Sequence, residues 1–138
     1  GKTININLYH LKKLRFIDLP GYGYAKVSFA EKKRWSQLVE GYFDLNRNIT
    51  LIVQIIDMRH PPSVLDMQML EFLHSSNLPF LIVLSKSDKL NKTQRAEREK
   101  NIEQELENFK NVPKIIFSSV SGEGIEKIKN TLSHYCGL

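Results

Sequence analysis

The run Leu14-Arg15-Phe16-Ile17 is apolar but for one residue, stops on Asp18 and turns at Gly21. An acid carried by a strand to the edge of a sheet can hold a metal-bound water. A glycine three residues on lets its backbone N–H approach a terminal phosphate with no Cβ in the way. Asp18, Leu19, Pro20 and Gly21 are therefore candidates for the phosphate end of a nucleotide, with Asp18 also the candidate metal ligand. A second apolar run, Phe80-Leu81-Ile82-Val83-Leu84, opens into Ser85-Lys86-Ser87-Asp88. A carboxylate placed there can accept from the ring N–H and the exocyclic amine of guanine, a paired donor edge that adenine lacks. The lysine two residues earlier can lay its aliphatic stem on the base. Ser85 brings a hydroxyl to the head of this loop where an amide would tie it more firmly. A third run, Lys114-Ile115-Ile116-Phe117, enters the small-residue loop Ser118-Ser119-Val120-Ser121-Gly122-Glu123-Gly124, which can turn a backbone N–H toward a base carbonyl. The plainer reading of that loop is a strand-to-helix connection with Ser121 or Glu123 near the helix cap.

Each loop needs a strand before it and a helix after it, and the chain supplies both. Apolar runs of strand length at Leu14–Ile17, Leu51–Ile56 and Phe80–Ser85 alternate with stretches of helical spacing. One such stretch contains Trp35, another is Lys92–Asn108, and the last shows an apolar face at Ile125, Ile128 and Leu132. Alternation of this kind predicts an α/β fold with a mostly parallel sheet. Ligands bind in such folds at the carboxyl ends of the strands, where all three loops would gather.

At 138 residues and 41% hydrophobic, the chain can bury one core but not two, so we expect a single domain over 1–138. Lone Cys136 excludes an internal disulfide and suits a reducing cytoplasm, the expected location. No apolar run approaches the roughly 18 residues of a membrane span, and no charged-then-apolar leader is present. The net charge of +5 is unevenly placed, with ten basic and five acidic residues in 1–60 and ten of each in 61–138. The excess collects at Lys12, Lys13, Arg15, Lys26, Lys32, Lys33 and Arg34, a basic face suited to RNA. The mixed charges of Lys92–Asn108 read as a solvated helix surface. Met58, Met67 and Met69 read as core gap-fillers, His60 as a loop-fixing residue, and Trp35 and Tyr42 as core. His10, His74 and His134 lack metal-ligand spacing.

Taken together, these segments resemble the EngB family of bacterial GTP-binding proteins. The residues that carry the resemblance are Gly1-Lys2-Thr3-Ile4-Asn5, Asp18-Leu19-Pro20-Gly21-Tyr22-Gly23-Tyr24-Ala25, Ile56-Asp57-Met58-Arg59-His60, Ser85-Lys86-Ser87-Asp88-Lys89-Leu90 and Ser118-Ser119-Val120-Ser121-Gly122-Glu123-Gly124. The resemblance implies a P-loop NTPase-type three-layer sandwich. It also implies GTP or GDP as ligand, magnesium as cofactor with potassium as a further cation, and roles in large-ribosomal-subunit assembly and septation. By the same resemblance Thr3 and Asp18 would serve magnesium, and Gly21 would sense the γ-phosphate. Lys86 and Asp88 would read guanine, with Ser118 and Ser119 closing over it and Val120 also among the nucleotide-binding residues. A monomer is expected, with the large ribosomal subunit or its RNA as partner.

The chain contains no G-x-x-x-x-G-K-[ST] loop, so the Gly-rich cradle for the α and β phosphates is missing. We therefore expect part of a G domain, without its first strand, phosphate loop and first helix, that does not hydrolyse GTP by itself. Tyr22 stands where many GTPases carry a water-orienting glutamine. A phenol does not replace that amide, which predicts slow intrinsic hydrolysis in the parent protein. Mobile aromatics at Tyr22 and Tyr24 suit a partner contact. Two other readings stay open: a nucleotide-independent RNA or ribosome-binding module, and a flavodoxin-like regulatory domain with acids at its strand ends.

Overall fold

The structure, a computed structural model, describes residues 7–11, 14–18, 37, 41 and 49–137, with 7–11, 14, 15 and 18 described by backbone alone. The chain divides into two units, Gly1–Ile49 and Thr50–Leu138. In the first, strand β1 (Asn7–Leu11) pairs antiparallel with β2 (Leu14–Asp18), from Leu11 opposite Leu14 out to Asn7 opposite Asp18. The strand expected at Leu14–Ile17 is thus present and runs on through Asp18. Its partner β1 was not foreseen: Asn7-Leu8-Tyr9-His10-Leu11 alternates only weakly, and the pairing itself is what extends it.

The second unit alternates strand and helix. Strand β3 (Ile52–Asp57) leads to helix α1 (Val64–Ser75), β4 (Phe80–Ser85) to α2 (Lys92–Glu105), and β5 (Lys114–Ile116) to α3 (Ile125–Cys136). The strands form a parallel sheet in the order β3-β4-β5. Central strand β4 is buried from Phe80 to Leu84, the pattern of a parallel strand covered on both faces. Leu81 and Val83 pack with Ile115 against Leu51, Phe117 and Ile128. Phe80, Ile82 and Leu84 point the other way by alternation and are also buried. Strand β3 alternates instead, with Gln54 and Ile56 buried and Val53 and Ile55 exposed.

Helix starts are set by local chemistry. Ser63 and Asp66 form a reciprocal capping box at α1, directly after Pro61-Pro62. Asn91 and Gln94 do the same at α2. Helix α2 stops at Glu105, short of the expected Asn108. Leu106 leaves helical geometry (φ −107°, ψ 28°) and the chain tightens into a 3₁₀ turn, Glu107–Phe109. Leu106 and Phe109, three residues apart, are both buried, and a 3₁₀ turn aligns that spacing on one side. Met58 is fully buried, as a gap-filler should be. Among the described residues no helix is long and apolar enough to cross a membrane.

Candidate functional site

In-register pairing sets Asp57 beside Ser85 and Leu84 beside Ile116, so the loops leaving β3, β4 and β5 emerge side by side. After β4 the chain turns sharply. Lys86 adopts the left-handed conformation (φ 66°, ψ 32°), which is uncommon for a residue with a Cβ. A 3₁₀ turn, Ser87–Lys89, follows and carries Asp88. The Ser87 N–H donates to the Phe117 carbonyl at 3.2 Å, and the Phe117 N–H donates to the Leu84 carbonyl at 2.8 Å. The Ser85 hydroxyl makes a longer bond, 3.4 Å, to the Ile56 carbonyl of β3.

The loop after β5 folds back on this turn through Ser118, which is fully buried. Its hydroxyl donates to Asp88 Oδ1 at 2.8 Å and accepts from the N–H groups of Val120 and Ser121 at 3.1 and 3.0 Å. One oxygen thus shapes its own loop and orients the neighbouring loop's carboxylate. Gly124 makes the return possible. It sits at φ +86°, and a Cβ there would lie 2.2 Å from the Ile116 carbonyl oxygen. Glu123 lies next to the α3 cap, in keeping with the plainer reading of the sequence, but neither it nor Ser121 supplies a capping bond. Gly124 occupies the cap position without a side-chain bond, and the Glu123 carboxylate is taken by Ser87 and Arg95.

Behind the turn stands Asp57, at the end of β3. Its carboxylate receives the Arg59 guanidinium through Nε and Nη2 at 2.8–3.2 Å and lies 3.5 Å from Lys86 Nζ. Burial pushes the Asp57 carboxyl up, but the Arg59 hydrogen bonds and the charges of Arg59 and Lys86 outweigh it and hold its pKa at about 2. Arg98, on α2, donates to the carbonyls of Met58 and His60 at 2.7 and 2.9 Å while pairing with Glu105. The β3–α1 loop is therefore pinned by a buried arginine through main-chain oxygens. His60, expected as the loop-fixing residue, is exposed, and its part in that bond is its carbonyl.

Between these loops lies an open cleft of about 320 Å³ lined by Arg59, Ser85, Lys86, Asp88, Lys89, Phe117, Ser119 and Val120. Five residues singled out from the sequence (Ser85, Lys86, Asp88, Ser119 and Val120) are brought together on its wall. Ser87 and Ser118 are buried behind it, supporting the loops. Thr3, Leu19, Pro20, Gly21, Tyr22, Tyr24, Trp35 and Tyr42 lie outside the described residues, as does the side chain of Asp18. No group of three or more metal-ligating side chains occurs among the described residues. The arrangement presents a fixed carboxylate beside the aliphatic stem of a lysine and a partly apolar wall. A flat heterocycle with adjacent N–H donors matches that surface.

Sequence reasoning missed Arg95, Arg98 and Glu123. The two arginines lie in a helix whose neighbouring positions are also charged, Glu97 and Glu99 among them, and look like solvent-facing residues. Glu123 is legible as a residue near the helix cap, but not as the partner of Ser87 and Arg95. The available signal was its place between Gly122 and Gly124, which lets the loop swing a side chain off the helix axis.

Residues 1–86 match the family described as 50S ribosome-binding GTPase. The chain is 42% identical over 131 residues to the probable GTP-binding protein EngB of Ligilactobacillus salivarius, covering 94% of this chain and 67% of that protein. It is 38% identical over 139 residues to the namesake protein of Pelotomaculum thermopropionicum, covering 100% and 70%. The chain thus spans about two thirds of the length of these relatives. In fold it is similar to the crystal structure of a probable GTP-binding protein EngB, with TM-score 0.79, 21% identity, and coverage of 96% of this chain and 84% of that one. It is also similar to Era of Aquifex aeolicus bound to GDP and AlF4−, with TM-score 0.67, 16% identity, and coverage of 94% and 43%. These neighbours have the P-loop GTPase-like α/β fold, and the parallel β3-β4-β5 sheet with its helices is an open portion of it. The chain belongs to the EngB family of GTP-binding proteins.

Proposed function

We propose that residues 1–138 form part of one G domain, and that their cleft is its guanine-reading end. Asp88 accepts the ring N–H and exocyclic amine, the Lys86 stem covers one face of the base, and Ser119 and Val120 line the opposite side. The observation that carries this is the Ser118 hydroxyl bound to Asp88 Oδ1, which holds a carboxylate in a fixed attitude on the wall of a cleft. Adenine presents one donor and one acceptor on the equivalent edge and cannot satisfy it.

The phosphate end is assigned from family membership and motif. Asp18, Leu19, Pro20 and Gly21 would face the β and γ phosphates, with Thr3 and Asp18 serving magnesium and potassium as a further cation. Magnesium would supply charge neutralisation at the phosphates. Residues 1–138 contain no G-x-x-x-x-G-K-[ST] loop, so GTP hydrolysis is not assigned to them alone. The matching family's description as ribosome-binding and the basic excess in residues 1–60 support the large ribosomal subunit or its RNA as partner. Work in subunit assembly and septation, a cytoplasmic location and a monomeric state complete the reading.

Thermal unfolding with GDP and with ADP tests it. GDP should raise the midpoint in a concentration-dependent way and ADP should leave it in place. Equal protection by both, or by neither, contradicts a guanine site. Retention on ribosomal RNA without any nucleotide effect would favour the nucleotide-independent RNA module, the reading that the basic first half supports.

A further inference from the structure

We infer that Glu123, clamped by Arg95, is a positioning residue that sets guanine selectivity through Ser87. This rests on the guanine-reading role proposed for the cleft. Two side chains, from the turn after β4 and from α2, meet at the Glu123 carboxylate of a third segment. Ser87 Oγ donates to Glu123 Oε1 at 2.7 Å, while Arg95 donates from Nη1 to Oε1 at 2.8 Å and from Nη2 to Oε2 at 2.5 Å. Arg95 also reaches Glu99 one turn along α2, so its fork is held from both sides. The Glu123 carboxyl is accordingly held below its ordinary range, first by Arg95 and then by Ser87.

The pair is about one-third exposed, and an exposed ion pair by itself contributes little. Its consequence lies in Ser87, which is 3% exposed and sits between Lys86 and Asp88. A buried hydroxyl that loses its acceptor must find another by moving, and the turn would move with it. Asp88 is therefore braced at two points: Ser118 holds the carboxylate directly, and Glu123 holds the preceding residue. Gly122 and Gly124, both at positive φ, let the loop carry Glu123 toward Ser87 instead of onto the α3 axis. None of these atoms lines the cleft, so Arg95 and Glu123 act through Asp88 without touching the base.

A loosened Asp88 would weaken its hold on the exocyclic amine most, because both donors are met only by a correctly turned carboxylate. Inosine diphosphate lacks that amine and isolates the effect. We expect the full chain to prefer GDP over IDP in competition against fluorescent GDP. Glu123→Ala and Ser87→Ala should each lower that preference about fivefold, the scale of one weakened hydrogen bond to a charged group. Glu123→Gln, which keeps an acceptor for Ser87, should recover most of it. A role in stability alone would lower the melting temperature and leave the GDP-to-IDP ratio of folded protein unchanged. Binding that favours GDP in the parent chain, with ratios within about twofold of it in both alanine variants, would overturn the inference while leaving the guanine site standing. Absence of saturable GDP binding to the folded parent chain would overturn both. Ser87→Ala deletes a single oxygen, so it remains readable if the Glu123 variants do not fold.

Discussion

Ser118 and Asp88, thirty residues apart in sequence, meet through a 2.8 Å hydrogen bond that joins the loops following β4 and β5. The serine oxygen is fully buried and accepts two backbone N–H groups while it donates to the carboxylate. A loop otherwise free to choose its shape is thereby tied to the residue that would read the base.

Ser118→Ala removes all three of these bonds. It should destabilise the protein by about 1–3 kcal/mol and weaken GDP binding about tenfold, because two backbone N–H groups lose their acceptor and Asp88 loses its orienting donor. Denaturant unfolding and nucleotide titration read the two effects separately.

Gly124→Ala should be among the most damaging single-methyl additions in the chain. The new Cβ would lie 2.2 Å from the Ile116 carbonyl oxygen in a backbone already at φ +86°, and main chain cannot yield as a side chain can. A loss of about 3 kcal/mol or more is expected. Gly137→Ala provides the contrast. It also has positive φ but has no atom within 4 Å of the added Cβ. It should cost only about 1 kcal/mol. Equal melting temperatures for the two variants would contradict the clash.

Arg98→Ala should unfold more easily by about 2–4 kcal/mol, since it leaves the Met58 and His60 carbonyls and the Glu105 carboxylate without their shared partner. Arg98→Lys should rescue little, because an ammonium cannot reproduce the fork.

Asp57 supplies a pH test. Folding lowers its pKa from the ordinary 3.8 to about 2. Its stabilising contribution is therefore complete above the ordinary value and is lost as pH falls toward the folded one. Urea midpoints should drop between about pH 4 and pH 2, and Asp57→Asn should flatten part of that drop. Glu123, also lowered, acts in the same direction and accounts for a further share. An unchanged slope in Asp57→Asn would contradict the Arg59 pairing.

Much of this was legible from the residues alone. The unbroken Phe80–Leu84 run announces a strand buried on both faces, and Ser63 with Asp66 or Asn91 with Gln94 announce helix starts, because those signals are local. The loops after β4 and β5 could be assigned to one edge because parallel topology leaves little choice, whereas Leu19–Gly21 lie outside the described residues. Arg98 could not be placed, since only the tertiary fold brings Met58, forty residues away, beneath it. Strand β1 was missed for the same reason: its conformation depends on β2. The place of Glu123 near the helix cap is legible from spacing, but its turn toward Ser87 and Arg95 is not. The positive-φ glycines beside it, which send it elsewhere, are a matter of backbone geometry that spacing does not reveal.

The measurement closest to the central claim is a titration with fluorescent GDP in magnesium and potassium, using ADP as competitor and Asp88→Asn as the variant. The account predicts saturable binding displaced by GDP but not by ADP, and weakened by about 1.5–3 kcal/mol in Asp88→Asn, where one acceptor oxygen becomes a donor. Displacement by ADP as readily as by GDP, or full affinity in Asp88→Asn, would contradict the assignment of this cleft to guanine.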